Sequence, residues 1–274
     1  MSWMRYMTLY SFRKLNPEWE IDLYFDDNND FNDHKWKENI QDYSHFDGVD
    51  YFDEIKKLNV NIKQIDSDND WLSQFKNVTP SGKSNIFKWH QLYKHGGFFA
   101  DMDIIFVKPI DNFYDYLTEN NYNTVFSQNR YKDIMNYLSI GFLASNKNNS
   151  FYKDIYENCF KFSNQVEYQT YGVNCVYDLY DMTLKNNDVL SASIEKYKDL
   201  KIHNVDFELV YPYDSTKIEY CFNNDIDLNE LPPNTIGYHW CAGHPTAQKY
   251  NSLLTDKNYK DYNNLFCNIC KKIL

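Results

Sequence analysis

Alternating polar and apolar positions mark two short strands in the first quarter of the chain. Residues 20–25 (EIDLYF) alternate and run into an acidic turn at residues 26–30, and residues 60–65 (VNIKQI) alternate in the same way. This period of two is typical of half-buried strands. Between them, residues 51–58 have helical spacing. The pattern predicts two strands joined by a long polar connection.

A different period begins at residue 81. Ser81 or Ser84 can cap a helix, because a hydroxyl accepts a hydrogen bond from the first helical N–H groups. The apolar positions that follow repeat at three and four residues, namely Ile86, Trp89, Leu92 and Tyr93. Such a stripe predicts an amphipathic helix. Gly96 and Gly97 end it, the first glycine suiting a left-handed position.

Short apolar runs then predict further strands. They lie at residues 98–100, 104–107, 124–127 and 140–144, and residues 150–162 have the spacing of a helix. Strands alternating with helices indicate an α/β protein with a mixed sheet. After about residue 165 the pattern becomes less regular, and no flexible linker divides the chain. We therefore expect a single domain over residues 1–274.

Composition narrows the functional classes. The 274 residues include 39 Asp and Glu against 28 Lys and Arg, for a formal net charge of −11. Nucleic acid is disfavoured as a partner, because phosphate backbones require clustered cationic side chains. A small phosphate ligand carried with a divalent cation remains compatible. The sequence contains no apolar run of the roughly 20 residues that a membrane span needs, and its opening is unlike a signal peptide.

The cysteines indicate reduced thiols. Six are scattered along the chain, too few for a disulfide-framed secreted domain. Cys267 and Cys270 form a CxxC pair with no second pair, so buried free thiols are favoured over a zinc site. Together with the absence of an export signal, this predicts a cytoplasmic location.

Asp101 and Asp103 are the leading candidates for chemistry. They follow the strand at residues 98–100 and precede the run at residues 104–107. A turn there would bring both carboxylates together, and a divalent cation, Mn²⁺ or Mg²⁺, would relieve their repulsion. The tripeptide is common in so acidic a chain, as residues 66–68 and 225–227 show. Acidic groups between apolar strands nevertheless favour a ligand.

Residues 84–110 resemble the DXD block of GT-A glycosyltransferases of the family 32 type. That group includes initiating mannosyltransferases and capsular sugar transferases, and the large clostridial toxin glucosyltransferases are related to it. The family pattern is a small residue, Asp, two apolar residues, Arg, and then Leu-x-x-x-Gly-Gly-aromatic-x-Asp-x-Asp. This chain has the same order, with Phe98 and Phe99 both at the aromatic position: Ser84, Asn85, Ile86, Phe87, Lys88, Leu92, Gly96, Gly97, Phe98, Phe99, Asp101 and Asp103. Residues 11–26 and 237–240 are similar to the family's flanking segments.

The resemblance implies a GT-A (Rossmann-like) mixed sheet flanked by helices, with a less regular C-terminal acceptor side. Residues 1–165 would form the nucleotide-sugar half and residues 166–274 the acceptor and closing half. The implied activity transfers a sugar from a nucleoside-diphosphate donor, a UDP- or GDP-sugar, to a glycan or protein hydroxyl. It implies Mn²⁺ or Mg²⁺ as cofactor and retention of the anomeric configuration.

The resemblance also assigns roles. Asp103 would bind the metal directly, Asp101 would contact the donor and the hydrated metal, and His239 would be a third ligand or a diphosphate hydrogen-bond donor. The remaining expected donor contacts are Asn85, Lys88, Gly97, Trp240 and His244. For His239, Trp240 and His244 ordinary packing is the alternative.

Two departures from the family pattern bear on the donor. Asn85 replaces the family's Asp and Lys88 its Arg, so that a charge and a planar two-pronged donor are lost. Residues 1–7 do not supply the family's first strand. A non-catalytic sugar-binding module is therefore the main alternative. A DxD phosphatase is less favoured, because Ile105 stands where such enzymes have Thr or Val.

Overall fold

The computed structural model describes residues 1–25, 46, 48–65, 71–75, 78–131, 135–163, 165, 167 and 169–274. The described residues form ten α-helices: α1 Trp3–Leu15, α2 Phe52–Ile55, α3 Pro80–Lys94, α4 Asp111–Glu119, α5 Ser150–Cys159, α6 Cys175–Asp178, α7 Val189–Lys196, α8 Ile218–Asn223, α9 Pro245–Leu253 and α10 Leu265–Ile273. They form eight strands: β1 Asp22–Phe25, β2 Asn61–Gln64, β3 Gly97–Ala100, β4 Ile104–Phe106, β5 Thr124–Tyr131, β6 Met135–Ser145, β7 Ile202–Asn204 and β8 Gly237–His239. The predicted acidic turn at residues 26–30 and the tripeptide at residues 66–68 lie outside the described residues.

The strands pair in both directions. The largest sheet has the order β3-β6-β5-β7, in which β5 and β7 are parallel and the other pairs antiparallel. β1 and β2 form a separate parallel pair, and β4 and β8 an antiparallel pair. The predicted mixed α/β class is confirmed. β5 and β6 are longer than predicted because their hairpin ladder continues through residues that lack an apolar period.

The long helix α3 begins before the predicted cap. Thr79 is the N-cap, its hydroxyl accepting from the Gly82 N–H at 3.2 Å, and Pro80 occupies the first turn. The prediction that Ser81 or Ser84 caps the helix was wrong, because proline has no N–H to leave unpaired and its φ suits a helix start. The stripe is confirmed, and three of its members are buried, namely Ile86, Trp89 and Leu92.

The glycine after α3 has the conformation that its position predicts. Gly96 has a φ of 72°, in the left-handed region that glycine adopts without strain. A Cβ there would lie 2.6 Å from the Ser145 carbonyl oxygen of β6. Glycine therefore lets the helix end close against the sheet before β3 begins.

Helix α1 lies along β4 in a register fixed by two hydroxyls. Thr8 Oγ1 donates to the Met102 carbonyl at 3.1 Å, and the buried Ser11 Oγ accepts from the Phe106 N–H at 3.0 Å. Because these residues are one helical turn apart, the two bonds determine which end of α1 faces the turn between β3 and β4.

The C-terminal helices enclose an apolar cluster that includes Trp3, Trp240, Phe266, Cys267 and Cys270. All six cysteines are free, as expected, and the CxxC pair is buried on α10. Such burial favours packing over zinc binding. No α-helix in the described ranges combines the length and apolar character needed to cross a bilayer.

Candidate functional site

The turn between β3 and β4 brings Asp101 and Asp103 together. The Asp101 N–H donates to the Gly141 carbonyl of β6 at 2.7 Å, and the Ile104 N–H donates back to the Asp101 carbonyl at 3.2 Å. The Asp103 carbonyl accepts from the Trp240 N–H at 2.9 Å. Each aspartate is thus attached to a different part of the fold.

His239 completes a three-residue cluster. It lies on β8 and pairs with Ile104 of β4, the residue that directly follows Asp103 in the chain. One ligand atom from each of Asp101, Asp103 and His239 lies within 4.8 Å of the others. Two carboxylates and an imidazole are suitable donors for Mn²⁺ and, through the carboxylates, for Mg²⁺. The chemistry of this donor set therefore fits the cofactor that the sequence implies.

The charges of Asp103 and His239 depend on each other. His239 Nε2 lies 3.1 Å from Asp103 Oδ1, and the Ala242 N–H donates to Asp103 Oδ2 at 2.8 Å. Burial opposes ionisation of Asp103, but the charge and hydrogen bond of His239 and the Ala242 N–H lower its pKa to about 2. Burial likewise disfavours the histidinium, yet Asp103 and Cys241 raise the pKa of His239 well above its usual value. The carboxylate is therefore ionised throughout the neutral range.

Lys88 places a buried positive charge beneath Asp101. Its side chain is 1% exposed, and Nζ donates to the Ile140 carbonyl at 2.8 Å and lies 3.4 Å from Asp101 Oδ1. Nζ also sits 4.4 Å from the centre of the Phe99 ring. Burial lowers the pKa of Lys88, and the charge of Asp101 partly offsets this. The ammonium group is held in one place by surrounding structure, which suits a role in positioning Asp101.

Asn85, one turn before Lys88 on α3, lies beside the helical turn at Thr170–Asn174. A Cβ added to Gly172 would lie 3.1 Å from Asn85 Nδ2 and 2.3 Å from Gln169 Oε1. Gln169 has a left-handed φ of 67°, and its Oε1 is buried without a hydrogen-bond partner. The expected donor contact at Asn85 therefore lies beside the beginning of the half expected to bind the acceptor, residues 166–274.

The other predicted donor contacts are not members of the three-residue cluster. Gly97 begins β3, at the opposite end of the strand from Asp101. The Trp240 side chain is fully buried, edge-on to Phe266, so the geometry favours its packing role. His244 caps α9, its ring nitrogen accepting from the Thr246 N–H at 3.2 Å.

Sequence reasoning missed Tyr211. Its hydroxyl accepts from the Gly141 N–H at 3.1 Å, and its ring lies 4.9 Å from that of His239, tilted by 34°. Burial, followed by the charge of Asp101, raises the pKa of Tyr211 well above its usual value, so its proton is retained. No spacing rule connects a tyrosine at this position to the motif, because the contact depends on tertiary structure alone.

Together these side chains form a site of a recognisable chemical kind. Two carboxylates and a histidine meet at a turn of a mixed α/β protein, next to an immobilised lysine. Such a site fits a divalent cation together with a phosphate-bearing ligand.

Comparison with known proteins agrees with the resemblance seen in the sequence. Residues 3–123 match the family model described as "Glycosyltransferase sugar-binding region containing DXD motif". The expected resemblance is thereby confirmed, and residues 3–123 are similar to the sugar-binding region of DXD-type glycosyltransferases. Asp101 and Asp103 lie within it, whereas His239 lies outside.

One solved structure, "PaToxG Glycosyltransferase", superposes with a TM-score of 0.38 and 15% sequence identity, covering 99% of this chain and 82% of that chain. A similarity of that degree does not identify the substrates of this protein. No curated protein matches the sequence.

Proposed function

We propose that this protein transfers a sugar from a nucleoside-diphosphate donor to a hydroxyl group of a glycan or protein, with Mn²⁺ or Mg²⁺ as cofactor. The observation that supports this most strongly is the convergence of Asp101, Asp103 and His239 within 4.8 Å. The match of residues 3–123 to a DXD sugar-binding region supports the same activity.

The residues of the chain have distinct roles in this proposal. Asp103 is the direct metal ligand, and its carboxylate is oriented by the Ala242 N–H. Asp101 contacts the donor and the hydrated cation, and Lys88 holds its carboxylate in place. With a cation bound, a neutral His239 would supply the third ligand through Nε2 in place of its contact with Asp103, while Nδ1 contacts Cys241. A bound divalent cation would offset the negative charge of the departing nucleoside diphosphate.

Retention of the anomeric configuration is the stereochemical part of the proposal. Within the described ranges the cluster has two carboxylates, both assigned to the cation. We therefore favour a front-face displacement, in which the departing phosphate oxygen accepts the proton of the acceptor hydroxyl. Proton NMR of the product would show the same anomer as the donor, and the opposite anomer would exclude this route.

The decisive experiment combines binding and turnover. UDP-, GDP- and CMP-sugars are screened by thermal shift with and without Mn²⁺, and slow donor hydrolysis is followed for any sugar nucleotide that stabilises the protein. We expect cation-dependent stabilisation by one base class together with hydrolysis. Binding without hydrolysis would favour a sugar-binding module, and release of phosphate from p-nitrophenyl phosphate alone would favour a phosphatase.

The chain contains its own control motif. Asp103→Ala is expected to abolish Mn²⁺-dependent binding of the nucleoside diphosphate, because it removes the carboxylate at the centre of the cluster. Asp225→Ala alters a second Asp-x-Asp whose first carboxylate is exposed and accepts only from the Asn268 amide in the described structure. Equal calorimetric affinities for the two variants would contradict the metal assignment.

A further inference from the structure

We infer that Arg5, on the first turn of α1, is a binding residue for the diphosphate of the donor. This inference rests on the proposed function, and it adds a residue that no motif identifies. Its basis is the position of α1 against the motif, the state of the Arg5 side chain and the charge of the site.

The register of α1 places Arg5 at the correct end of the site. Towards the N-terminus of α1, Ser11 is hydrogen-bonded to the backbone of Phe106, and Thr8, one turn earlier, to the backbone of Met102. Met102 lies between the two aspartates. A helix rises about 1.5 Å per residue, so three more residues advance the chain by about 4.5 Å on nearly the same face. Arg5 therefore lies just past the Asp-x-Asp turn. Consistent with this, Arg5 lies near enough to Asp103 for their charges to interact.

The Arg5 side chain has unused hydrogen-bonding capacity. Its Nε is buried and has no hydrogen-bond partner among the described residues. Asp103 is already paired at both oxygens, Oδ1 with His239 and Oδ2 with the Ala242 N–H. Among the described residues no ion pair joins Arg5 to Asp103, so the guanidinium is not committed to that carboxylate. A buried donor without a partner is costly, and a phosphate oxygen would satisfy it.

Guanidinium chemistry and charge balance point to a diphosphate. The planar fork of arginine matches two phosphate oxygens, a geometry that the ammonium of Lys88 lacks. With a divalent cation balancing Asp101 and Asp103, and with His239 neutral as a ligand of that cation, the remaining positive charges are those of Lys88 and Arg5. Two positive charges complement the two negative charges of a nucleotide-sugar diphosphate. Arg5 thus supplies, from another element, the fork that is absent at position 88.

The test compares Arg5→Gln and Arg5→Lys with the full-length wild type by calorimetry, using Mn²⁺ alone, UDP with Mn²⁺ and GDP with Mn²⁺. Arg5→Gln is expected to weaken binding of the favoured nucleoside diphosphate by about tenfold to hundredfold, the effect of a charged hydrogen bond. Its affinity for Mn²⁺ alone should be unchanged or higher, because a positive charge is removed. Arg5→Lys should fall between, and Lys153→Gln, a surface variant on α5, should match the wild type.

The outcomes separate the two proposals. If the wild type binds Mn²⁺ but neither nucleotide, the proposed function and the role of Arg5 both fail. If Arg5→Gln binds the nucleotide as tightly as the wild type, only the role of Arg5 fails. Loss of Mn²⁺ binding together with nucleotide binding in Arg5→Gln would also overturn it, since this indicates a structural role at Asp103. Circular dichroism melting confirms that each variant is folded.

Discussion

Gly141→Ala should disturb the site by adding a single methyl group. A Cβ at this position of β6 would lie 2.5 Å from the Tyr211 hydroxyl oxygen, 3.0 Å from Asp101 Oδ2 and 3.2 Å from His239 Cδ2. Ordinary contact begins near 3.4 Å, so the Tyr211 oxygen must move by about 1 Å. That movement breaks its 3.1 Å hydrogen bond from the Gly141 N–H.

The expected magnitude follows from these contacts. Overpacking of this kind costs about 1–3 kcal/mol of unfolding free energy. Displacement of groups that orient metal ligands lowers metal affinity by about 10–100-fold. Denaturant unfolding measures the first quantity and Mn²⁺ calorimetry the second.

Tyr211→Phe provides the matched control. The substitution removes the oxygen that the new methyl would strike, so the double variant Gly141→Ala/Tyr211→Phe should be close in stability to Tyr211→Phe alone. Groups in direct contact show coupling energies of about 0.5–3 kcal/mol in such a cycle. If the stability effects of the two substitutions simply add, the contact between residue 141 and Tyr211 is refuted. If Gly141→Ala binds Mn²⁺ as tightly as the wild type, the contact with Asp101 is refuted.

Two further predictions concern stability. Thr79→Ala removes the N-cap of α3 and should lower the unfolding free energy by about 1 kcal/mol, whereas Thr79→Ser should retain most of the capping energy. Chemical denaturation measures both variants, and an unchanged midpoint for the alanine variant would contradict the cap. Alkaline pH should unfold the protein because Tyr51, Tyr171 and Tyr180 have folded-state pKa values of about 12, raised mainly by burial from about 10. Since the unfolded chain releases these protons first, stability is intact below pH 10 and falls as pH rises towards 12. The last part of the rise in tyrosinate absorbance should therefore coincide with loss of circular dichroism, and complete ionisation of all 25 tyrosines before any unfolding would contradict the burial.

Local patterns were sufficient for the elements around the motif. The apolar stripe of α3, the glycine at its end and the strand before Asp101 all follow from sequence periods, because each depends on neighbouring residues. The cap of α3 was misplaced because a threonine before proline competes with two serines further on. The full length of the β5–β6 hairpin was also missed, since backbone pairing extends it beyond its apolar residues.

The site was predictable only in part. Asp101, Asp103 and His239 were selected by motif and family order, and they lie together in the structure. Tyr211 and the Ala242 N–H were not foreseeable, because they reach the motif from elements more than a hundred residues away. For Trp240 the sequence left a ligand contact and packing as alternatives, and its surroundings in the structure form an apolar core.

The bond between the Ala242 N–H and Asp103 joins positions 139 residues apart. Closing a loop of that length costs about 4 kcal/mol of chain entropy beyond a constant term. A growing polypeptide that has left the ribosome only as far as α7 contains both aspartates but lacks β8 and the amide that follows it. The Asp101–Asp103–His239 cluster therefore cannot form until residues 239–242 have been made, long after both aspartates have left the ribosome.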